Sequence, residues 1–279
     1  MKKILTTLIA ISLSTLSFAQ NQDKVLARVS YSFTHARDTT QRNDPYTENM
    51  LLIIGKNASV YTSYDRILRE LNLDKPSSTA PFKPITRIDY YYFVKENEFY
   101  TREKIITEYM AKEVAPKINW KITKDTASFS GVHCQKATTY FKGRNWIAWF
   151  APDLPFQSGP WKLNGLPGLI IDAYDDKGEV KFQFSGIDNL DTPPTTAEQK
   201  ALAAHFYYGP TIRFPENAKS TTKADLDKLR DTRDKDPIGF AKASAPNDGR
   251  IIKMGMSTTG VSHTVINNPI ELPEKKDKQ

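Results

Sequence analysis

Val25, Ala27, Val29, Tyr31 and Phe33 alternate with Leu26, Arg28, Ser30 and Ser32. A period of two sends the first set to one face of a strand and the second to the other, which predicts a strand over 25–33. The polar stretch 34–49, with the turn dipeptide Asp44-Pro45, reads as a loop. Residues 50–54 are apolar throughout, and Gly55-Lys56-Asn57 turns them into 58–64, the pattern of a hairpin. Ile67, Leu68 and Leu71 recur at helical spacing and predict a short helix over 65–73. Residues 75–84, rich in proline and serine, read as an exposed loop. Tyr90, Tyr91, Tyr92 and Phe93 then stand in a row within an expected strand over 88–94, which Lys95-Glu96-Asn97-Glu98 turns into another over 99–107. Strand character continues through 109–113 and 114–123, and 131–140 pairs with 146–150 across Lys142-Gly143-Arg144-Asn145.

The stretch 159–174, GPWKLNGLPGLIIDAY, organises this run of strands. Pro167 and Gly168 fit the second and third positions of a type II turn, the third of which takes positive φ. Leu169, Ile170 and Ile171 form a continuous apolar run, the mark of a strand buried on both faces. Asp175-Asp176-Lys177-Gly178 is a hairpin turn, and Val180, Phe182 and Phe184 alternate with Lys181, Gln183 and Ser185 on the way back. After Ile187 the pattern loosens. Asp191-Thr192-Pro193-Pro194 breaks the chain, and helices are expected over 196–206 and over 222–233, the second with Thr222 as its N-cap. Residues 249–260 read as an edge strand and 271–279 as a charged, disordered tail.

The fold class that follows is mainly β: a long antiparallel meander forming a curved sheet or half-open barrel, with a few short, mostly C-terminal helices. Residues 20–190 make the β domain and 191–270 an extension packed upon it.

The hexapeptide Gly165, Leu166, Pro167, Gly168, Leu169, Ile170 resembles the signature of the GLPGLI family, exported proteins of Gram-negative bacteria. The likeness extends over about Tyr31 to Ile187, through Cys134-Gln135-Lys136-Ala137, Gly143-Arg144, Trp149-Phe150 and Gly159-Pro160-Trp161. It implies an exported protein and a structural role for the hexapeptide, and no particular activity.

The first residues agree with export. Lys2 and Lys3 precede a short apolar stretch over 4–18, and Ser17-Phe18-Ala19 has the form of a cleavage site, so the mature chain is expected to begin at Gln20. The chain is then a periplasmic protein of 260 residues with a formal charge of +5. That excess is compatible with contact to anionic envelope surfaces, though an ordinary solubility charge is the simpler reading, and nucleic acid is not an expected partner in that compartment.

Hydrophobic residues make up 39% of the sequence and aromatic ones 11%, enough for a sizeable core built of sheets. Candidate chemistry is sparse. Tyr90, Tyr92, Trp146, Trp149 and Trp161 offer aromatic surface for a ligand, with Arg144 to hold a carboxylate. For the tyrosine row, strand propensity with half the rings in the core is the simpler reading. Arg144 equally suits an internal ion pair, with Asp153 and Asp172 as expected partners. Cys134 is the sole cysteine, so no intramolecular disulfide forms. Its neighbour His133 points to the other face of a strand and does not serve as its base. Met254, Met256 and His263 are a thioether and imidazole set that suits Cu(I), against a reading as ordinary apolar filling. No other cofactor is expected. The sequence therefore favours a binding protein of the envelope, holding an apolar ligand, peptide or envelope component and partnering an envelope ligand or outer-membrane protein. A copper-handling protein, and a hydrolase using Cys134 or an acid pair, are the alternatives.

Overall fold

The computed structural model describes residues 23–74, 85–105, 107–243 and 266–274. In chain order the strands are β1 (Asp23–Lys24), β2 (Ala27–His35), β3 (Tyr46–Ile54) and β4 (Ala58–Ser63), followed by helix α1 (Tyr64–Glu70). Next come β5 (Ile88–Phe93), β6 (Glu98–Lys104), β7 (Glu108–Val114), β8 (Lys121–Phe129), β9 (Val132–Phe141), β10 (Arg144–Ala151), β11 (Leu169–Asp175) and β12 (Val180–Ile187). Helix α2 (Ala197–Ala204), β13 (Thr211–Ile212), β14 (Lys219–Thr222), α3 (Lys223–Lys235) and α4 (Pro237–Ala243) complete the order. No helix among the described residues is long and apolar enough to cross a membrane.

The chain is mainly β, with one large curved sheet that does not close into a barrel. Its twelve strands run β14-β7-β6-β5-β4-β3-β2-β12-β11-β10-β9-β8. The antiparallel run thus divides into two meanders, β2–β7 and β8–β12, joined where β12 lies against β2 from Val180↔His35 to Ile187↔Val29. The strands consecutive at the junction of the meanders, β7 and β8, are far apart in the sheet. Residues 115–120, expected to continue as strand, carry the chain between those distant positions without strand structure. β14 adds a parallel edge on β7, so the sheet is mixed.

The local signals hold in the folded chain. β2 buries every second residue. Ser63 caps α1 by accepting from Arg66 N, and Thr222 caps α3 by accepting from Asp225 N. The polar stretch expected as a loop over 34–49 is shorter than that, because β3 begins at Tyr46 opposite His35 of β2. The strand formed by 121–129 is polar at most positions and leaves six of its nine residues exposed, so its alternation is weak, yet it pairs with β9 and ends the sheet. Residues 249–260, the expected edge strand, lie outside the described residues.

Both faces of the sheet are covered. On the concave face Tyr31, Phe33, Met50, Leu52, Trp146, Ala148, Phe150 and Phe182 pack together. Trp161, Leu163 and Leu166, from the long β10–β11 connection, fill the space inside the curl. On the convex face Leu51, Ile53, Val60 and Tyr91 meet Ile67 of α1 and Tyr207.

The hexapeptide turn differs from its expected form. Positive φ falls on Gly165, at 84°, and Gly168 does not share it. Gly168 is required for another reason: a Cβ there would stand 2.2 Å from the Ala151 carbonyl oxygen and 2.7 Å from its carbon. Around Gly165 a Cβ meets nothing within 4 Å. The two glycines therefore predict different costs. Gly165→Ala pays the left-handed conformation, about 1 kcal/mol. Gly168→Ala forces backbone apart and costs about 3 kcal/mol, a fall of roughly 10 °C in Tm. Thermal unfolding of the two variants checks this, and a larger loss for Gly165→Ala would show the turn to be misassigned.

Candidate functional site

A cavity of about 560 Å³ lies between the concave face, α3 and the C-terminal segment 266–274. Its apolar wall includes Phe33, Met50, Tyr61, Ile88, Tyr90 and Trp161. The strands place these side chains by alternation: Phe33 of β2, Met50 of β3 and Tyr61 of β4 point inward while their neighbours pack on the convex face. Trp161 reaches the same wall from the β10–β11 connection, with φ of 56°, a conformation that few non-glycine residues hold. Its ring lies 5.6 Å from Trp146 and stacks at 14° to Phe182. That packing fixes the strained residue in place.

Cations stand at the other side of the cavity. Arg37, Lys162, Lys223 and Arg230 all line it. Lys162 is buried and binds Glu113 at 3.0 Å and Glu271 at 2.9 Å. Burial works to lower its pKa, but Tyr90, Glu271 and Glu113 outweigh that and raise it, so the ammonium stays charged. Its Nζ sits 5.7 Å from the Tyr90 ring centre. Arg230 pairs with Glu103 at 2.6 Å, and Arg37 lies over the Tyr46 ring at 3.3 Å. An apolar wall facing a cationic margin is the arrangement that takes an amphipathic molecule with an anionic end.

The C-terminal segment closes one side of the cavity and is latched by Arg144. This guanidinium is buried and donates to Asp175 at 2.6 Å, Asn268 Oδ1 at 2.6 Å, Pro269 O at 2.7 Å and Ile270 O at 2.8 Å, with Glu179 at 3.4 Å. Asn268 in turn donates to Ala36 O at 2.8 Å and Glu179 at 3.1 Å. His35 Nε2 lies 2.7 Å from Asn268 O, and burial lowers its pKa to about 4, so the neutral ring donates to that carbonyl. The internal partners of Arg144 are therefore Asp175, Glu179 and the C-terminal segment. Asp153 and Asp172, expected from sequence, are not among them: Asp153 is exposed, and Asp172 pairs with Trp149 three residues up β11 from Asp175. The charged tail expected from Glu271 is also held at its start, since Leu272 N donates to Lys142 O at 3.0 Å.

The aromatic candidates separate. Tyr90 and Trp161 meet at the cavity. Tyr92 lies beside them, over a crevice of only about 10 Å³, less than one water occupies. Trp146 is wholly buried and donates from Nε1 to Phe141 O at 3.0 Å. Trp149 points to the other face, where it meets Phe129 and Lys136. Met254, Met256 and His263 lie outside the described residues. Among the described residues no group of three or more His, Cys, Asp or Glu side chains has the placement to hold a metal ion. Cys134 is fully buried, and burial pushes its thiol up to about 11. A thiol so placed lacks the exposure and the lowered pKa of a nucleophile. His35, Met50, Lys162, Arg230 and Asn268 were not marked by the sequence. Each belongs to a separate segment, and no short motif links them.

A family model described as "Protein of unknown function (Porph_ging)" matches residues 98–172, about a quarter of the chain. The matched stretch runs from β6 into β11 and contains the hexapeptide. No curated protein matches the sequence. Two solved structures, "Structure of PNGF-II in P21 space group" and "Structure of PNGF-II in C2 space group", align with TM-scores of 0.48 and 0.47, each at 13% identity over 72% of this chain. This chain spans about a third, 32%, of the length of those chains.

Two predictions arise from these contacts. Arg144→Lys keeps the charge but cannot serve the guanidinium's separate acceptors. It should expose the bond after Glu271 to a glutamate-specific protease at least tenfold faster than in the parent chain, and equal rates would show that Arg144 does not hold the segment. The second concerns Asp172, whose Oδ1 is buried without a partner among the described residues and whose pKa burial raises from 3.8 to about 6. The folded state then holds a proton that the unfolded chain releases near pH 4, so this group's contribution to stability falls between pH 4 and 6 and stays flat above. Asp172→Asn should raise Tm at pH 7.5 and lose that advantage near pH 4. A pH-independent difference would remove the carboxyl as its cause.

Proposed function

We propose that this chain is a ligand-binding protein of the cell envelope, and that the cavity over β2–β5 holds an amphipathic ligand, apolar along most of its length with an anionic end. The observation that carries the reading is the division of that cavity into an aromatic and aliphatic wall, from Phe33 to Trp161, and a margin of Arg37, Lys162, Lys223 and Arg230. Its volume of about 560 Å³ falls in the range of small-molecule sites. Burying the apolar part of a ligand on such a wall supplies about 25 cal/mol per Å², and the cations set its direction. The ligand's end would compete with Glu271 and Glu103 for the same cations.

The reading includes export and family. Lys2, Lys3 and the apolar stretch after them support a leader cleaved near Ala19 and a periplasmic location. The hexapeptide 165–170, inside the stretch that the family model matches, supports membership among the GLPGLI proteins. A membrane surface or an outer-membrane protein would be the source or destination of the ligand. The role is binding without catalysis, with the hexapeptide serving the turn and the core.

Ile88 lines the cavity from β5 and is partly exposed, so Ile88→Trp fills space without opening the core. Native mass spectrometry of the mature protein purified from its host should show a retained organic mass on the parent chain and little on Ile88→Trp. A bare parent chain, or equal retention by both, would overturn the cavity as the site. Stoichiometric copper that disappears with Met254→Ala would replace this reading with metal handling.

A further inference from the structure

Successive residues of β5 and β6 face opposite ways. Tyr90 and Thr101 look into the cavity described above, so the pair Asp89↔Arg102 looks out of the convex face. There a second cleft, of about 350 Å³, lies between α1, residues 85–87 and the end of β6. Arg66, Arg69, Arg87, Arg102 and Lys104 line it, against the one carboxylate of Glu70. It adjoins a hollow of about 630 Å³ that shares Glu70, Arg102 and Lys104 and continues over Phe206 and Phe214.

The cleft is built on a buried ion. Asp89 is wholly buried and accepts from Arg66 and Arg102 at 2.5 Å each, from Thr62 Oγ1 at 2.6 Å and from the Tyr207 hydroxyl at 2.7 Å. Burial works to raise its pKa, but Arg66 and Arg102 outweigh that and lower it. One carboxylate thus holds two guanidiniums, fixing their direction while neutralising only one of them. The remaining partners of the pair are at the margin: Glu70 lies 3.7 Å from Arg66 Nε, and Arg102 also meets Glu108. Arg102 Nε is buried with no acceptor among the described residues. Arg87 and Lys104 are exposed at the mouth, and the side chain of neither forms a hydrogen bond or ion pair with a described residue. Cations gathered on a rigid base, two of them free at the rim, exceed what a single carboxylate ligand uses and suit a phosphoryl group of two or more charges. Holding the arginines in place before binding lowers the ordering cost of the complex.

We propose that this convex-face cleft is a binding site for a phosphate-bearing ligand. Arg87 and Lys104 contact the phosphoryl oxygens, and Arg66 and Arg102 supply the positive field behind them. The adjoining Phe206 and Phe214 receive whatever the phosphate is attached to. The site is independent of the concave cavity, because the strand alternation that builds one excludes its residues from the other.

The test uses the full mature chain and Arg87→Gln/Lys104→Gln, whose exposed positions leave folding intact, checked by an unchanged Tm. Calorimetric titration with inorganic pyrophosphate, at ionic strength held constant with chloride, should show saturable binding that weakens at least tenfold in the double variant. Sedimentation with phosphatidylcholine vesicles, with and without phosphatidic acid, tells a soluble phosphate from a lipid headgroup. Binding to the acidic vesicles alone, lost in the double variant, assigns the lipid. Binding to neither probe, or equal binding by both proteins, overturns the proposal.

Discussion

Phe182 stacks on Phe33 at 5.0 Å and 15° across the pairing of β12 with β2, and this contact between strands about 150 residues apart makes one sheet from two meanders. Joined there, they curl far enough for Trp161 to pack against both Trp146 and Phe182, and for Leu163 and Leu166 to follow it into the core. The conformations of the β10–β11 connection follow from that filling role. Gly168 lies against the Ala151 backbone where no side chain fits, and Trp161 holds positive φ with Phe141, Trp146 and Phe182 packed around its ring.

The same junction sets the position of the C-terminal segment. His35 and Val180 end the paired strands side by side, and Arg144, Asp175 and Glu179 gather beside them. A buried arginine facing two carboxylates is balanced only when its remaining donors find acceptors, and the carbonyls of Pro269 and Ile270 with the Asn268 amide provide them. The segment that lines the cavity is therefore held by the charge chemistry of a hairpin next to it. Cavity and latch form one unit.

The two faces of the sheet carry unlike chemistry although the same strands build them. On the concave side tyrosine and tryptophan surface meets Lys162, Lys223 and Arg230, which already have carboxylate partners, and Arg37, which lies over the Tyr46 ring. On the convex side arginines share one buried aspartate and leave positive charge unpaired at the rim. A strand's alternation separates the two sets within single residues, Tyr90 from Asp89 and Thr101 from Arg102.

What the sequence determined alone is what neighbours along the chain decide. The alternation of 25–33, the turns at Gly55-Lys56-Asn57 and Asp175–Gly178, the cap at Thr222 and the buried run 169–171 all act within a few residues, and each was legible. The short-range rules also established that Cys134 and His133 do not meet. The hexapeptide announced a constrained turn, but the need for glycine at 168 came from the backbone of Ala151, a residue from another strand. The rest was decided by contacts with no local trace: the order β2-β12, the parallel strand β14, the partners of Arg144, and the meeting of Met50, Tyr90, Trp161 and Arg230 around one cavity. The physical reason is range. Backbone preference and side-chain period act over one or two turns of chain, whereas the closing of a curved sheet depends on the packing of rings and the pairing of buried charges brought together from more than a hundred residues apart.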